Sequence, residues 1–174
     1  LIGGQPFSVE NMRAVRKVAD ENGILIVLDI SLVCENMYFI KMREPEFMDK
    51  SPAEILRTLC DLADIIYFSA RKISCSRGGG IATRNRDLYL RMRDLIPLFE
   101  GFLTYGGISV REIESMAVGL REATDWNVIR HSPEFIKYLV DSLDAKGIPV
   151  ITPAGGLGAH LDARGFLPHL TSFD

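Results

Sequence analysis

Apolar residues first recur at helical spacing, with Met12, Val15, Val18 and Ala19 forming one stripe. The pattern predicts a helix over about 8–22, with Ser8 as its N-cap and Asn22-Gly23 as its end. Ile24 to Leu28 follow without a polar break and end on Asp29. An unbroken apolar run predicts a central parallel strand over 24–29, covered on both faces. An aromatic-rich segment with Tyr38, Phe39 and Phe47 reads as a loop and short helix, where Glu35-Asn36 could serve as a cap. Ser51-Pro52-Ala53-Glu54 then opens a helix over 52–62 with an N-cap, a first-turn proline and a first-turn acid.

A second apolar run, Ile65-Ile66-Tyr67-Phe68, predicts a strand over 64–69. Arg77-Gly78-Gly79-Gly80 then turns into a short strand. Helices are expected over about 85–96 and 109–124, and a third from Ser132-Pro133-Glu134 to Lys146, stopped by Gly147. A strand is expected over 148–152. Alternating helices and strands followed by a helix-rich stretch predict a doubly wound α/β domain running into a smaller α+β domain. The division is set at 1–128 and 129–174, and Trp126 is expected to pack at the junction.

Bulk composition narrows the classes of function. The 174 residues, 47% hydrophobic and 25% charged, suit a globular protein with a substantial core. A net charge of −3 supplies no global attraction to nucleic acid or an anionic membrane, so neither is expected as a partner. Arg84, Arg86, Arg91 and Arg93 are interleaved with acids and read as a solvated helix face. Three cysteines without a C-x-x-C pair argue against a disulfide framework and a zinc site, and for a reducing cytoplasm. His131, His160 and His169 fall in no metal spacing and read as surface or supporting residues. No run approaches membrane-span length, and no signal peptide is visible. A start at Leu1 without Met predicts a piece of something longer.

Two residues carry candidate chemistry. Asp29 ends one buried-looking strand, where open α/β sheets bind ligands. Lys72 follows the next strand in Ser69-Ala70-Arg71-Lys72, ahead of the glycines. Taken singly, Asp29 reads first as a loop-capping carboxylate, and Lys72 equally as an exposed loop lysine. Together they point to pyridoxal phosphate: a lysine for the Schiff base and an aspartate that keeps the pyridine nitrogen protonated. Arg71 is a neighbouring cation that would favour the neutral amine, and the Ser69 hydroxyl could contact a phosphate. The glycine run 78–80 lacks the Walker pattern and opens no helix, so it is no nucleotide fingerprint.

Further stretches carry a resemblance. They are Gly3-Gly4-Gln5-Pro6, Asn11 to Arg16, Glu35-Asn36 with Tyr38-Phe39-Ile40-Lys41, Gly101 with Tyr105-Gly106-Gly107, Met116 to Ala123, Pro153-Ala154-Gly155-Gly156 and Leu161-Asp162-Ala163-Arg164. In this order they resemble the tryptophanase and tyrosine phenol-lyase group of β-eliminating lyases, of which the chain would cover less than half. The resemblance implies an aminotransferase-like, fold-type I large-domain portion with a mainly parallel sheet, leading into the start of a small domain. It implies pyridoxal 5'-phosphate, held by Lys72 as the Schiff-base lysine, Asp29 at the pyridine nitrogen, Ser69 at the phosphate, Arg71 as a further cofactor-binding residue, and Tyr105 near a neighbouring subunit's site. It also implies a monovalent cation such as potassium, a homo-oligomer (dimer or tetramer), and an amino-acid substrate split by β-elimination into pyruvate, ammonia and a leaving group. The family's phosphate-binding glycine loop and substrate-carboxylate arginine have no counterpart in the chain.

Four positions depart from the family pattern. Leu32 stands for an arginine, Arg71 for a lysine, Ile73 for an acid and Arg77 for an asparagine of the cation turn. Losing the arginine at position 32 removes a charge-assisted hydrogen bond to the cofactor. The expected activity is therefore a lyase acting on an aromatic or sulfur amino acid. The alternatives are an aminotransferase or cysteine desulfhydrase on the same cofactor, or a catalytically silent scaffold, which Leu32 favours.

Overall fold

The computed structural model describes residues 3–101 and 107–170. Helix α1 (Val9–Glu21) starts where Ser8 accepts the Asn11 amide, as its sequence requires. Strand β1 (Val27–Asp29) leads into α2 (Val33–Arg43) and a 3-10 turn at Pro45–Phe47. Helix α3 (Pro52–Asp61) opens on a full capping box between Ser51 and Glu54. Strand β2 (Ile65–Ser69) passes without a break into the single turn α4 (Ala70–Ile73), and β3 (Gly79–Thr83) follows. Then come α5 (Arg86–Arg93), α6 (Ile96–Phe99), α7 (Val110–Glu122), α8 (Trp126–Ile129), α9 (His131–Asp144) and α10 (Ala163–Phe166).

The sheet runs β1-β2-β3, with β1 parallel and β3 antiparallel to β2. The mainly parallel sheet expected from sequence thus holds only at β1–β2 among the described residues. The few residues between Ser69 and Gly79 reverse the chain too soon for the crossover that a parallel partner needs.

Register separates the two faces. Leu28 is buried, and Ile66 and Phe68 pack on a core that includes Val9, Met12, Val33, Met37, Ile40, Ile55 and Leu59. The opposite face carries Val27, Asp29, Ile65, Tyr67, Ser69 and Ile81, and there Val27 is 56% and Ile81 63% exposed. This corrects the expectation of a central strand covered on both sides. Strand β1 is shorter than predicted and lies at the sheet edge, with one face open among the described residues. An unbroken apolar run reports apolar surroundings wanted on both faces, not which chain supplies them.

Other expectations shift in detail. Val15 and Val18 belong to the α1 stripe by spacing but are exposed, whereas Met12 and Ala19 are buried. Asn36 is not a cap: its side chain brackets Phe7, accepting the Phe7 amide and donating to the Phe7 carbonyl at 3.0 Å each. The predicted helix over 85–96 is two helices parted at Asp94-Leu95, and no residue of α5 is buried, as a solvated face implies. The expected strand at 148–152 shrinks to one bridge, Val150 to Leu161. Pro149, without an N–H, removes a ladder donor there. Trp126 stacks on Tyr38 at 5.6 Å and packs against the core, and Ile129 shares that core with Val9 and Leu28.

Two matching motifs distant in sequence meet in space. Gln5 donates to the Pro153 carbonyl at 2.7 Å, and a Cβ on Gly155 would lie 2.1 Å from the Gly3 carbonyl oxygen. Only glycine permits that approach of two backbones.

Asp64 ties α1 to the start of the sheet. Its carboxylate accepts the Ile26 amide and one Arg16 nitrogen, each at 2.7 Å. These hold its pKa below the usual carboxylate value, the Ile26 amide contributing most and Arg16 next, against a burial penalty. The unfolded chain therefore takes up a proton at higher pH than the folded one. The resulting stabilisation is complete above about pH 4, the ordinary aspartate range, and is lost as pH falls through the lower folded value. Urea unfolding between pH 6 and 3 should show a shallower loss of stability in Asp64→Asn than in the parent. Parallel pH profiles would refute this role.

Candidate active site

The open face of the sheet ends in a cluster at the C-terminal ends of β1 and β2. Asp29 closes β1, and its Oδ1 accepts the Ser31 amide at 2.8 Å, an Asx turn made by the Asp-x-Ser order. Ser31 is buried, and its Oγ accepts the Ser69 amide at 2.9 Å. Because that oxygen accepts from Ser69, its own proton is free for the Asp29 carboxylate. One serine therefore locks the ends of the two strands together.

Burial raises the Asp29 pKa, yet the net shift is downward. Ser31 opposes burial through both hydroxyl and amide, and the Tyr67 hydroxyl and the positive charge of Lys72 act in the same direction. Asp29 is thus held as a carboxylate, with Lys72 close enough to act on it.

Lys72 sits on α4, whose placement follows from what is buried beside it. Ala70 is fully buried and Ile73 lies in the core, which leaves Arg71 and Lys72 exposed. The Ala70 amide donates to Gly78 at 3.0 Å, and the Ser74 amide and hydroxyl both return to the Ala70 carbonyl at 2.9 Å. Ser76 donates from Oγ to the Glu112 carbonyl of α7, also at 2.9 Å. Ile73, a departure from the family pattern, is therefore a core contact. Arg77 reaches Glu112 at 3.6 Å. Leu32, where the pattern has arginine, is the half-exposed N-cap of α2 and supplies no polar group there.

The structure thus brings together Asp29, Ser69 and Lys72, with Arg71 beside Lys72 on α4. Tyr105 lies outside the described residues. Sequence reasoning passed over Ser31 and Tyr67. The Asp-x-Ser order was a readable sign of the first. The second becomes visible only once β1 and β2 are in register, where Tyr67 stands directly beside Asp29. Among the described residues no group of three or more His, Cys, Asp or Glu is placed to hold a metal ion, and no helix is long and apolar enough to cross a membrane.

Solved structures share this fold. One from Exiguobacterium, provisionally described as an aromatic amino acid beta-eliminating lyase/threonine aldolase, superposes with a TM-score of 0.66 at 20% identity, covering 93% of this chain and 42% of the other. One from Listeria monocytogenes, provisionally described as an L-allo-threonine aldolase, gives 0.65 at 19%, covering 90% and 39%. The chain is 42% identical over 171 residues to a tyrosine phenol-lyase of Lacrimispora saccharolytica, covering 98% of this chain and 36% of the relative. It is 41% identical over 169 residues to a tryptophanase of Hyphomonas neptunium, covering 97% and 37%. The chain therefore spans little more than a third of the curated relatives it matches. The beta-eliminating lyase family model matches residues 1–164, and the chain belongs to that family.

Proposed function

We propose that the chain is part of a pyridoxal-phosphate-dependent β-eliminating lyase acting on an aromatic or sulfur amino acid, with Lys72 and Asp29 at its centre. The observation that carries this reading is their convergence on one sheet end, where Ser31 ties Asp29 to Ser69 and Lys72 projects from the adjoining turn. The donor set fits the cofactor: an ionised carboxylate for a heteroaromatic N–H, an amine for an aldehyde, and a serine hydroxyl with an arginine for a phosphate. Bound there, the cofactor supplies an electron sink for charge developing at the substrate α-carbon.

The chain's own residues divide the work. Asp29 holds the proton on the ring nitrogen, and Ser31 keeps that carboxylate ionised and aimed. Lys72 binds the cofactor through Nζ and, once released, takes the α-proton of the substrate. Ser69 and Arg71 contact the phosphate. Departure of an indole, phenol or thiol completes the elimination to 2-aminoacrylate, and one water hydrolyses its imine tautomer to pyruvate and ammonia. The same reading assigns Tyr105 to a neighbouring subunit's site, residues 1–128 to the large domain and 129–174 to the start of the small one. It also takes in a cytoplasmic homo-oligomer and a bound potassium ion.

In the full-length protein, limiting pyridoxal phosphate followed by borohydride reduction tests the assignment; the chain alone, without the phosphate-binding loop, is expected to be inactive. Peptide mapping should find the adduct on Lys72 at least about tenfold over any other lysine, equivalent to about 1.4 kcal/mol of preference. The reduced adduct, and the absorbance near the visible edge that precedes reduction, should both vanish in Lys72→Ala. Equal labelling of Lys17, Lys50, Lys72 and Lys146 would overturn the reading.

A further inference from the structure

We propose that Tyr67 is a positioning residue for Asp29, its phenol donating to the carboxylate and presetting it for the N–H of a heteroaromatic ring. The argument begins with register. Asp29 and Tyr67 are paired across the parallel strands β1 and β2, so both side chains leave the sheet on the same open face. The Ile30 amide donates to the Tyr67 carbonyl at 2.9 Å, which fixes the two backbones at the point where the side chains emerge. Neither side chain is buried by the core, and Tyr67 is 41% exposed, so the phenol can turn over its neighbour.

The two groups affect each other in the senses that a shared proton requires. Asp29 is lowered against its burial by Ser31, Tyr67 and Lys72. Tyr67 is raised chiefly by the Asp29 charge, with burial adding to it. These are the groups that act on the pair: Ser31 and Lys72 beside Asp29 on neighbouring elements, and Asp29 itself beside Tyr67. A neutral phenol is a donor toward a carboxylate at any pH where the enzyme is folded and the carboxylate ionised.

A carboxylate offers more than two acceptor positions. Ser31 occupies Oδ1 through its amide at 2.8 Å. A phenol on the open face restrains the carboxylate from a second direction and leaves an acceptor position for an incoming N–H. It also draws charge from the carboxylate, so the ring proton is held less strongly than by a carboxylate without the phenol. The purpose assigned to Asp29 rests on the cofactor reading above; the pairing of Asp29 with Tyr67 across the strands does not.

Carbon-13 labelling of the aspartate carboxyls and tyrosine Cζ atoms, followed by NMR titration of the whole chain, tests the pair without cofactor. Tyr67→Phe should shift the Asp29 midpoint upward, and Asp29→Asn should shift the Tyr67 midpoint downward. Tyr89→Phe, a change on the solvated helix α5, should move neither. Circular dichroism checks that each variant is folded. An Asp29 midpoint unchanged in folded Tyr67→Phe overturns the proposal, whether or not Lys72 takes the cofactor. Loss of selective labelling at Lys72 with the coupling intact overturns the cofactor reading instead, so the two failures are distinguishable.

Discussion

Gly119→Ala is expected to lower the unfolding free energy by about 2 kcal/mol and to displace the turn that carries Lys72. A Cβ at position 119 would stand 2.2 Å from the Ser74 carbonyl oxygen and 2.7 Å from the Ser74 carbonyl carbon and Cα. All three are backbone atoms, so no change of rotamer relieves the overlap. Two effects oppose each other. Alanine is the better helix former by about 1 kcal/mol, which alone would stabilise α7. Overpacking of a close contact costs about 1–3 kcal/mol and occasionally more, and a clash this deep with backbone belongs at the upper end. The steric term therefore wins. Ser74 caps α4 and is bound back to Ala70, so α4 shifts as a unit when α7 is pushed away. Urea unfolding measures the first effect, and the fraction of reductively trapped adduct on Lys72 the second. A variant as stable as the parent would show that α4 and α7 separate at no cost.

Leu59→Ala should cost about 3 kcal/mol and lower Tm by about 6–12 °C. Leu59 is fully buried on α3, one turn from the equally buried Ile55, inside the cluster that joins α1, β1, α2 and α3. Truncation removes favourable transfer of the lost carbons and leaves a void that neighbours on several elements cannot all close. Val18→Ala is the matched control. Val18 lies on α1 within the apolar stripe, but it is 58% exposed and should change stability by no more than about 0.5 kcal/mol. Equal losses at positions 18 and 59, measured by thermal unfolding, would show that the core has been misassigned.

The helix starts show how much was legible. Ser8 and Ser51 each accept the amide three residues on, and each stands where local order alone puts a cap. Capping is decided within one turn, so neighbouring residues contain the answer. Val18 and Val27 show the reverse. Both sit in apolar patterns, and both are exposed among the described residues, because burial depends on what packs against a face. Pattern says which side of an element seeks cover; it does not supply the cover.

The site divides in the same way. From sequence alone came the nature and order of the candidate groups: a carboxylate ending one apolar run, a lysine just beyond the next, and family motifs around both. Those follow from local chemistry and from spacing along the chain. Only the tertiary structure decided that Ser31 joins Asp29 to Ser69, that Ile73 belongs to the core, and that Tyr67 stands beside Asp29. Each of these depends on strand register or on helix packing between segments tens of residues apart. A one-residue slip would send Tyr67 to the other face while leaving the sequence pattern unchanged.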